Sequence, residues 1–199
     1  MTVNLAFLVS GTGRTLDNFV SEIEAGRLDA RIQVVVASNR RSLQAEPVQR
    51  SGVPVEFVDR RQYETVEAFS EAVTAVLDRY PIDLVLCAGL LQKYLFPERL
   101  SGRVLNVHPA LLPKYGGQGM YGHHVHEAVL AAGETESGCT VHIADLEYDH
   151  GPIVVQKRVP VLPDDTPDSL AARVFAAECE AYPEAVRILA KQLGLPLRA

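Results

Sequence analysis

The sequence predicts an α/β protein: an open, mostly parallel central sheet with helices on both faces and an antiparallel extension toward the C-terminus. Three observations predict it. Short apolar runs alternate with segments whose apolar residues recur at helical spacing, which is a βαβα rhythm. The runs are continuously apolar rather than alternating, as strands covered on both faces are. After Pro113 the rhythm changes, and two β-rich stretches flank a single polar turn.

Taken in order, VNLAFLV (3–9) is a short buried strand. Leu16, Phe19, Val20 and Ile23 then fall on one helical stripe that Gly26 ends. IQVVVAS and PVEFV are the second and third strands; between them Ser42 to Ser51 is a candidate helix whose extent Pro47 leaves open. A longer helix carries Val66, Phe69, Val73, Val76 and Leu77 on one face, followed by the strands IDLVLCAG and RVLNV. The Gly-rich loop KYGGQGMYG leads to a helix over His123 to Ala132. GCTVHIA and PIVVQKRVPV form an antiparallel pair around DLEYDHG. A last helix starts near Pro167, with Leu170, Val174 and Ala181 near one face and Pro183 marking a kink or restart.

Composition narrows the function. With 199 residues, 47% hydrophobic and 22% charged, the chain is long enough for a sizeable core and reads as one domain over 1–199. No apolar run approaches the roughly 20 residues of a bilayer crossing, and the N-terminus lacks the basic start and cleavage site of a signal peptide. Cys87, Cys139 and Cys179 are odd in number, widely spaced and set among apolar residues, which suits reduced thiols in the cytoplasm. A net charge of -6 with no concentrated basic face argues against a nucleic-acid partner. A small-molecule task is expected.

In parallel α/β folds the strand C-termini line the ligand crevice, so polar residues there are candidates for chemistry. SGTG, at the turn into the first helix, lets Gly11 and Gly13 bring backbone close to an anion at a helix N-terminus. Leu16 stands where the dinucleotide fingerprint needs a small residue, and Ser38 and Asn39 stand where it needs an acid. NAD is therefore not expected, and a turn needed only for packing is the plain alternative. In VLNVHPALLP, Asn106 and His108 at i, i+2 point the same way from a strand that Pro109 terminates. They are a candidate donor and acid–base pair, or a strand end with a satisfied histidine. Asp149 lies in a turn before Gly151 and Pro152, where a turn-forming carboxylate is the plain reading; His142 sits among β-branched residues as a core imidazole would. His123 and His126 at i, i+3 invite a metal reading, but nothing completes a ligand pattern, so no metal is expected.

Together SGTG, NVHPALLP, GCTVH and DHGPIVVQ, in this order and spacing from about Val3 to Pro183, closely resemble the glycinamide ribonucleotide formyltransferases. These belong to the wider formyltetrahydrofolate-dependent family. The resemblance implies a Rossmann-like formyltransferase fold and transfer of a formyl group from 10-formyltetrahydrofolate, as co-substrate, to the amine of glycinamide ribonucleotide. It implies catalytic roles for Asn106, His108 and Asp149, with His142 as a positioning group in the same cluster. It implies phosphate binding by Gly11, Thr12, Gly13 and Arg14, and ribose or glycinamide binding by Glu178. It implies a folate cleft of Leu90, Leu91, Gln92, Ala144, Asp145 and Tyr148. The chain departs from the family pattern at Arg14, Thr15, Gln92 and Phe175 and in its Gly-rich loop. Attack of the amine leaves negative charge on oxygen, which Asn106 and protonated His108 are expected to meet, with Asp149 keeping His108 charged. The acting form is expected to be a monomer or homodimer. Formyltetrahydrofolate deformylase is the first rival, methionyl-tRNA formyltransferase a second, and a non-catalytic nucleotide-binding module a third from another class.

Overall fold

The computed structural model describes residues 2–196. Seven strands stand in the order β3-β2-β1-β4-β5-β6-β7. They are β1 (Val3–Val9), β2 (Ala30–Ala37), β3 (Val55–Phe57), β4 (Leu84–Ala88), β5 (Val104–His108), β6 (Glu136–Ile143) and β7 (Ile153–Pro160). The chain forms two compact units, one of residues up to Leu105 with those from Ala190 on, the other Asn106–Leu189.

In the first unit β1 pairs in parallel with β2 and β4, and β2 with β3, as the continuous apolar runs require. Leu5 through Val9 and all of β4 are buried, so no face of these strands meets water. Helix α1 (Arg14–Glu24) buries Leu16 and Phe19, and the Phe19 ring meets Phe7 edge-on at 5.1 Å. Burial of each such side chain contributes about 1.5–3 kcal/mol. In place of one helix over Ser42 to Ser51 there are two: α2 (Arg40–Leu43), which starts earlier than expected, and α3 (Glu46–Arg50), with Pro47 in its first turn. Helix α4 (Val66–Leu77) begins at Thr65, whose hydroxyl accepts the Ala68 N–H, and buries Phe69, Ser70, Val73 and Leu77. Val66 and Val76, at the margins of the expected stripe, are only half-buried.

In the second unit α5 (His123–Ala131) precedes the antiparallel pair β6 and β7, which run Glu136 opposite Pro160 to His142 opposite Ile153. Gly138 in β6 allows the close approach: a Cβ there would collide with the Lys157 carbonyl. Helix α6 (Pro167–Gln192) is unbroken, so Pro183 lies inside it and marks no restart. Ala181, Tyr182, Ala185 and Val186 are fully buried around it. Their burial, at about 1–3 kcal/mol for each large side chain, offsets the roughly 3 kcal/mol that an interior proline costs.

Candidate active site

Strand β5 carries Asn106 and His108 on one side, and Pro109 ends it as the missing N–H demands. His108 is 4% exposed. The following segment is fastened by side chains of β6 and β7. The Thr140 hydroxyl donates to the Ala110 carbonyl at 2.7 Å and accepts the Leu112 N–H at 3.1 Å. Gln156 Nε2 donates to the same hydroxyl at 2.9 Å and to the Leu112 carbonyl at 3.1 Å. The backbone leaving His108 is therefore held on both sides of Leu111.

Asp149 comes to this place from the turn between β6 and β7. Asn106 Nδ2 donates one proton to Asp149 Oδ1 at 3.3 Å and the other to His142 Nε2 at 3.1 Å. With Nε2 accepting, His142 Nδ1 carries the proton that points at the Ile143 carbonyl, 3.3 Å away. The other Asp149 oxygen accepts the Gly117 N–H at 3.0 Å and lies 3.4 Å from His108 Nδ1. Nε2 of His108 faces the Tyr115 carbonyl at 2.7 Å. A carbonyl only accepts, so that nitrogen bears the proton. Asp149 holds φ 53, a left-handed conformation that costs a non-glycine residue about 1–2 kcal/mol. Strain at such a point is accepted where the surroundings over-determine the geometry, as the four neighbours of this carboxylate do.

Burial and charge oppose each other here. Burial pushes the His108 imidazole below its usual value of 6.5, against the raising influence of the Asp149 charge and the Tyr115 carbonyl. Burial thus works against the expectation that Asp149 keeps His108 charged: desolvation of the cation is the larger influence and the carboxylate at 3.4 Å the opposing one. For Asp149 the balance falls the other way. Burial raises it, yet His142, the charge of His108 and the Gly117 N–H together hold it below the ordinary carboxylate range. The result is a carboxylate favoured in its ionised form beside an imidazole whose charged form burial disfavours, a pair able to exchange a proton when an occupant alters either environment.

The first unit supplies the anion-type loop. Gly13 caps α1 with φ 78, and its buried position has little room for a side chain, since a Cβ would lie 3.1 Å from Val48 Cγ2. Gly11 is half-buried, whereas Thr12 and Arg14 are exposed at the free N-terminus of the helix. The strand ends beside it are cross-tied. The Ser10 hydroxyl donates to the Gly89 carbonyl and accepts the Leu91 N–H at 2.9 Å, and Asn39 Nδ2 donates to the Ser10 carbonyl at 3.0 Å. The Ser38 hydroxyl lies 3.0 Å from Gln92 Oε1. Ser38 and Asn39, which displace the acidic residue of a dinucleotide site, thus fasten the rim of the sheet. Leu90 is half-buried and Leu91 is 50% exposed, an apolar surface open to a ligand.

Of the remaining candidates, Ala144 and Asp145 are half-buried on the β6–β7 turn and Tyr148 is 42% exposed. The Asp145 carboxylate serves the turn itself, accepting the Glu147 N–H and facing His150 Nδ1, each at 2.8 Å. Glu178 is half-buried on α6; after burial, its charge is the next cause that raises the Cys139 thiol, to about 12. Sequence reasoning missed Tyr115 and Gly117, which touch the cluster through main-chain atoms. The signal available was the double glycine at 116 and 117. A Cβ on Gly116 would lie 3.3 Å from that of Asp149 and would collide with Leu112. His126, which the sequence offered only as half of a possible metal pair with His123, is 4% exposed, and its Nδ1 has no hydrogen-bond partner among the described residues.

Residues 3–186 match the formyl transferase family. The chain is 37% identical over 204 residues to the chloroplastic phosphoribosylglycinamide formyltransferase of Arabidopsis thaliana, covering 97% of this chain and 69% of that protein. It is 35% identical over 191 residues to the trifunctional purine biosynthetic protein adenosine-3 of Gallus gallus, covering 94% of this chain but spanning only 18% of that relative's length. Among solved structures, glycinamide ribonucleotide transformylase 1 of Symbiobacterium toebii superposes with a TM-score of 0.84 at 33% identity, covering 96% of this chain and 89% of that one. A formyltetrahydrofolate deformylase from Pseudomonas syringae shares the fold, at 18% identity and a TM-score of 0.80.

Proposed function

The chain belongs to the formyl transferase family, and from that premise we propose that it is a phosphoribosylglycinamide formyltransferase of purine biosynthesis. It moves the formyl group of 10-formyltetrahydrofolate to the primary amine of glycinamide ribonucleotide, working as a single formyltransferase domain. One observation carries this reading: Asn106 and His108, on one segment, meet His142 and Asp149, on another, within direct contact distances.

The chemistry assigns each group a task. Attack of the amine on the formyl carbon places negative charge on the former carbonyl oxygen, and the nitrogen that attacked must lose a proton while the folate nitrogen gains one. Asn106 has two N–H donors, and His108 has one N–H at Nε2, on the same side of β5. For either to meet the oxyanion, its present partner must give way to the substrate. Asp149 accepts a proton from the cationic amine directly or through His108, and its lowered pKa keeps it ready as the ionised acceptor. His142 fixes the Asn106 amide by accepting one of its protons, so that the other is aimed.

The substrate phosphate is assigned to Gly11, Thr12, Gly13 and Arg14, supported by the glycine turn and the free helix N-terminus. Glu178 is assigned to the ribose or glycinamide end. The folate is assigned to Leu90, Leu91, Gln92, Ala144, Asp145 and Tyr148, supported by exposed apolar surface at Leu91 in the first unit and, separately, at Tyr148 in the second. With the Asp145 and Gln92 side chains already partnered, main-chain atoms are the available recognition groups there. A cytoplasmic site of action is supported by three cysteines that are odd in number and widely spaced; no helix among the described residues is long and apolar enough to cross a membrane.

Acceptor dependence tests the reading. The purified chain is expected to form tetrahydrofolate from 10-formyltetrahydrofolate only when glycinamide ribonucleotide is present. Equal release of formate without the ribonucleotide would identify a deformylase instead.

A further inference from the structure

We infer that His150 is a positioning residue: paired with Asp145, it fastens the turn that presents the Asp149 carboxylate to Asn106 and Gly117, and protonation of His150 tightens the fastening. The inference rests on the formyl-transfer reading of this cluster and adds to it a residue that touches no reacting atom.

The turn between β6 and β7 has one strained point, Asp149 at φ 53. A conformation of that kind persists only where neighbouring contacts hold it. One carboxylate spans the turn. Asp145 Oδ1 accepts the Glu147 N–H at 2.8 Å, fixing the entering side, and Asp145 Oδ2 meets His150 Nδ1 at 2.8 Å, fixing the residue directly after Asp149. From the far end, Gly151 packs so closely on the Ile143 carbonyl that no Cβ fits, so the turn cannot relax in that direction. The His150 side chain is itself 66% exposed, which separates it from the buried cluster that it steadies.

The pair responds to pH through a defined set of charges. Asp145, by hydrogen bond and charge, and then Glu147 face His150 and raise its pKa above 6.5. Asp145 is faced in turn by His150 and by His142 of β6, and Asp149 by His142 and by His108 of β5. A raised histidine pKa means that the charged pair is fully formed below about 6.5, the unfolded value, and is lost as pH rises through the raised one. Neutral His150 keeps a hydrogen bond to Asp145 but loses its charge, so the clamp loosens without opening.

The test uses the full chain as wild type, His150→Ala and His150→Gln. His150→Ala is expected to lower kcat about fivefold, the scale of one exposed charge-assisted hydrogen bond, with KM for glycinamide ribonucleotide unchanged. His150→Gln, which can still donate to Asp145, is expected to recover most of the rate but to lack the pH response. The ratio of wild-type to His150→Gln kcat should therefore fall toward one as pH rises from about 6 to 8.5, and also in about 1 M salt, which screens an exposed pair. A ratio constant across pH, or a His150→Ala kcat equal to wild type, overturns the inference. Carbon-13 NMR titration of the Asp149 carboxyl reads the same effect without turnover: its pKa is expected to rise in His150→Ala, and an unchanged value overturns the inference. Absence of ribonucleotide-dependent turnover in the wild type would refute the transferase reading alone, leaving the NMR titration to decide the role of His150.

Discussion

At Asn106 both amide protons are already engaged, one by Asp149 and one by His142, so the donor role depends on the carboxylate that borders it. Asp149→Asn is expected to lower kcat by about 100- to 1000-fold, the usual effect of losing one group from a preorganised polar site. What activity remains should have its acidic limb shifted to lower pH. The substitution removes the charge that raises the His108 pKa and leaves burial, the largest cause of its lowering, less opposed. A pH–rate profile measures this, and a shift to higher pH would contradict the assignment. Asn106 and His108 were legible as a polar pair at a strand end, whereas Asp149 read as a turn carboxylate and His142 as a core imidazole until the family resemblance joined them. Tyr115 and Gly117 were not, because what they contribute is a carbonyl and an N–H that every non-proline residue owns. The effect of burial on His108 was not legible for a related reason. Proximity to a carboxylate could be inferred from motifs, whereas burial to 4% exposure follows only from packing.

Among the elements, strands were read most securely, since continuous apolar runs such as Leu84–Ala88 have no other stable placement in a chain this short. Helix limits were harder. Pro47 divides one helix and Pro183 does not divide another, because proline is harmless in a first turn and tolerable where flanking residues are deeply buried. Glycine acts as a structural requirement in the β6–β7 pair. Gly138→Ala is expected to cost on the order of 2–4 kcal/mol, since the new methyl would meet the backbone carbonyl of Lys157 rather than a movable side chain. Urea unfolding checks this: a lowered midpoint at unchanged slope is the expected outcome, and a midpoint equal to wild type would show that the strands can separate to accommodate it.

For the whole molecule, the buried histidine of α5 sets a limit on acid stability. Burial first, then the charges of His123 and His108, push His126 down to about 4 from the ordinary 6.5. Between these values the unfolded chain binds a proton that the folded one refuses, so stability is complete above about pH 6.5 and falls as pH drops toward about 4. The loss amounts to roughly 2–3 kcal/mol for this residue. His126→Phe should flatten that part of the stability curve while leaving the neutral range little changed; an equally steep fall in the variant would show that other groups govern it. At the opposite end of the pH scale the buried Cys87 and Cys139 thiols, each pushed up to about 12 from the ordinary 9, set the converse limit, since the unfolded chain loses protons there that the folded one keeps; at rest, one main-chain atom occupies His108. While the Tyr115 carbonyl accepts the proton on His108 Nε2, that proton is not offered to another acceptor. For His108 to act as a donor, an arriving substrate has to take the place of that peptide oxygen.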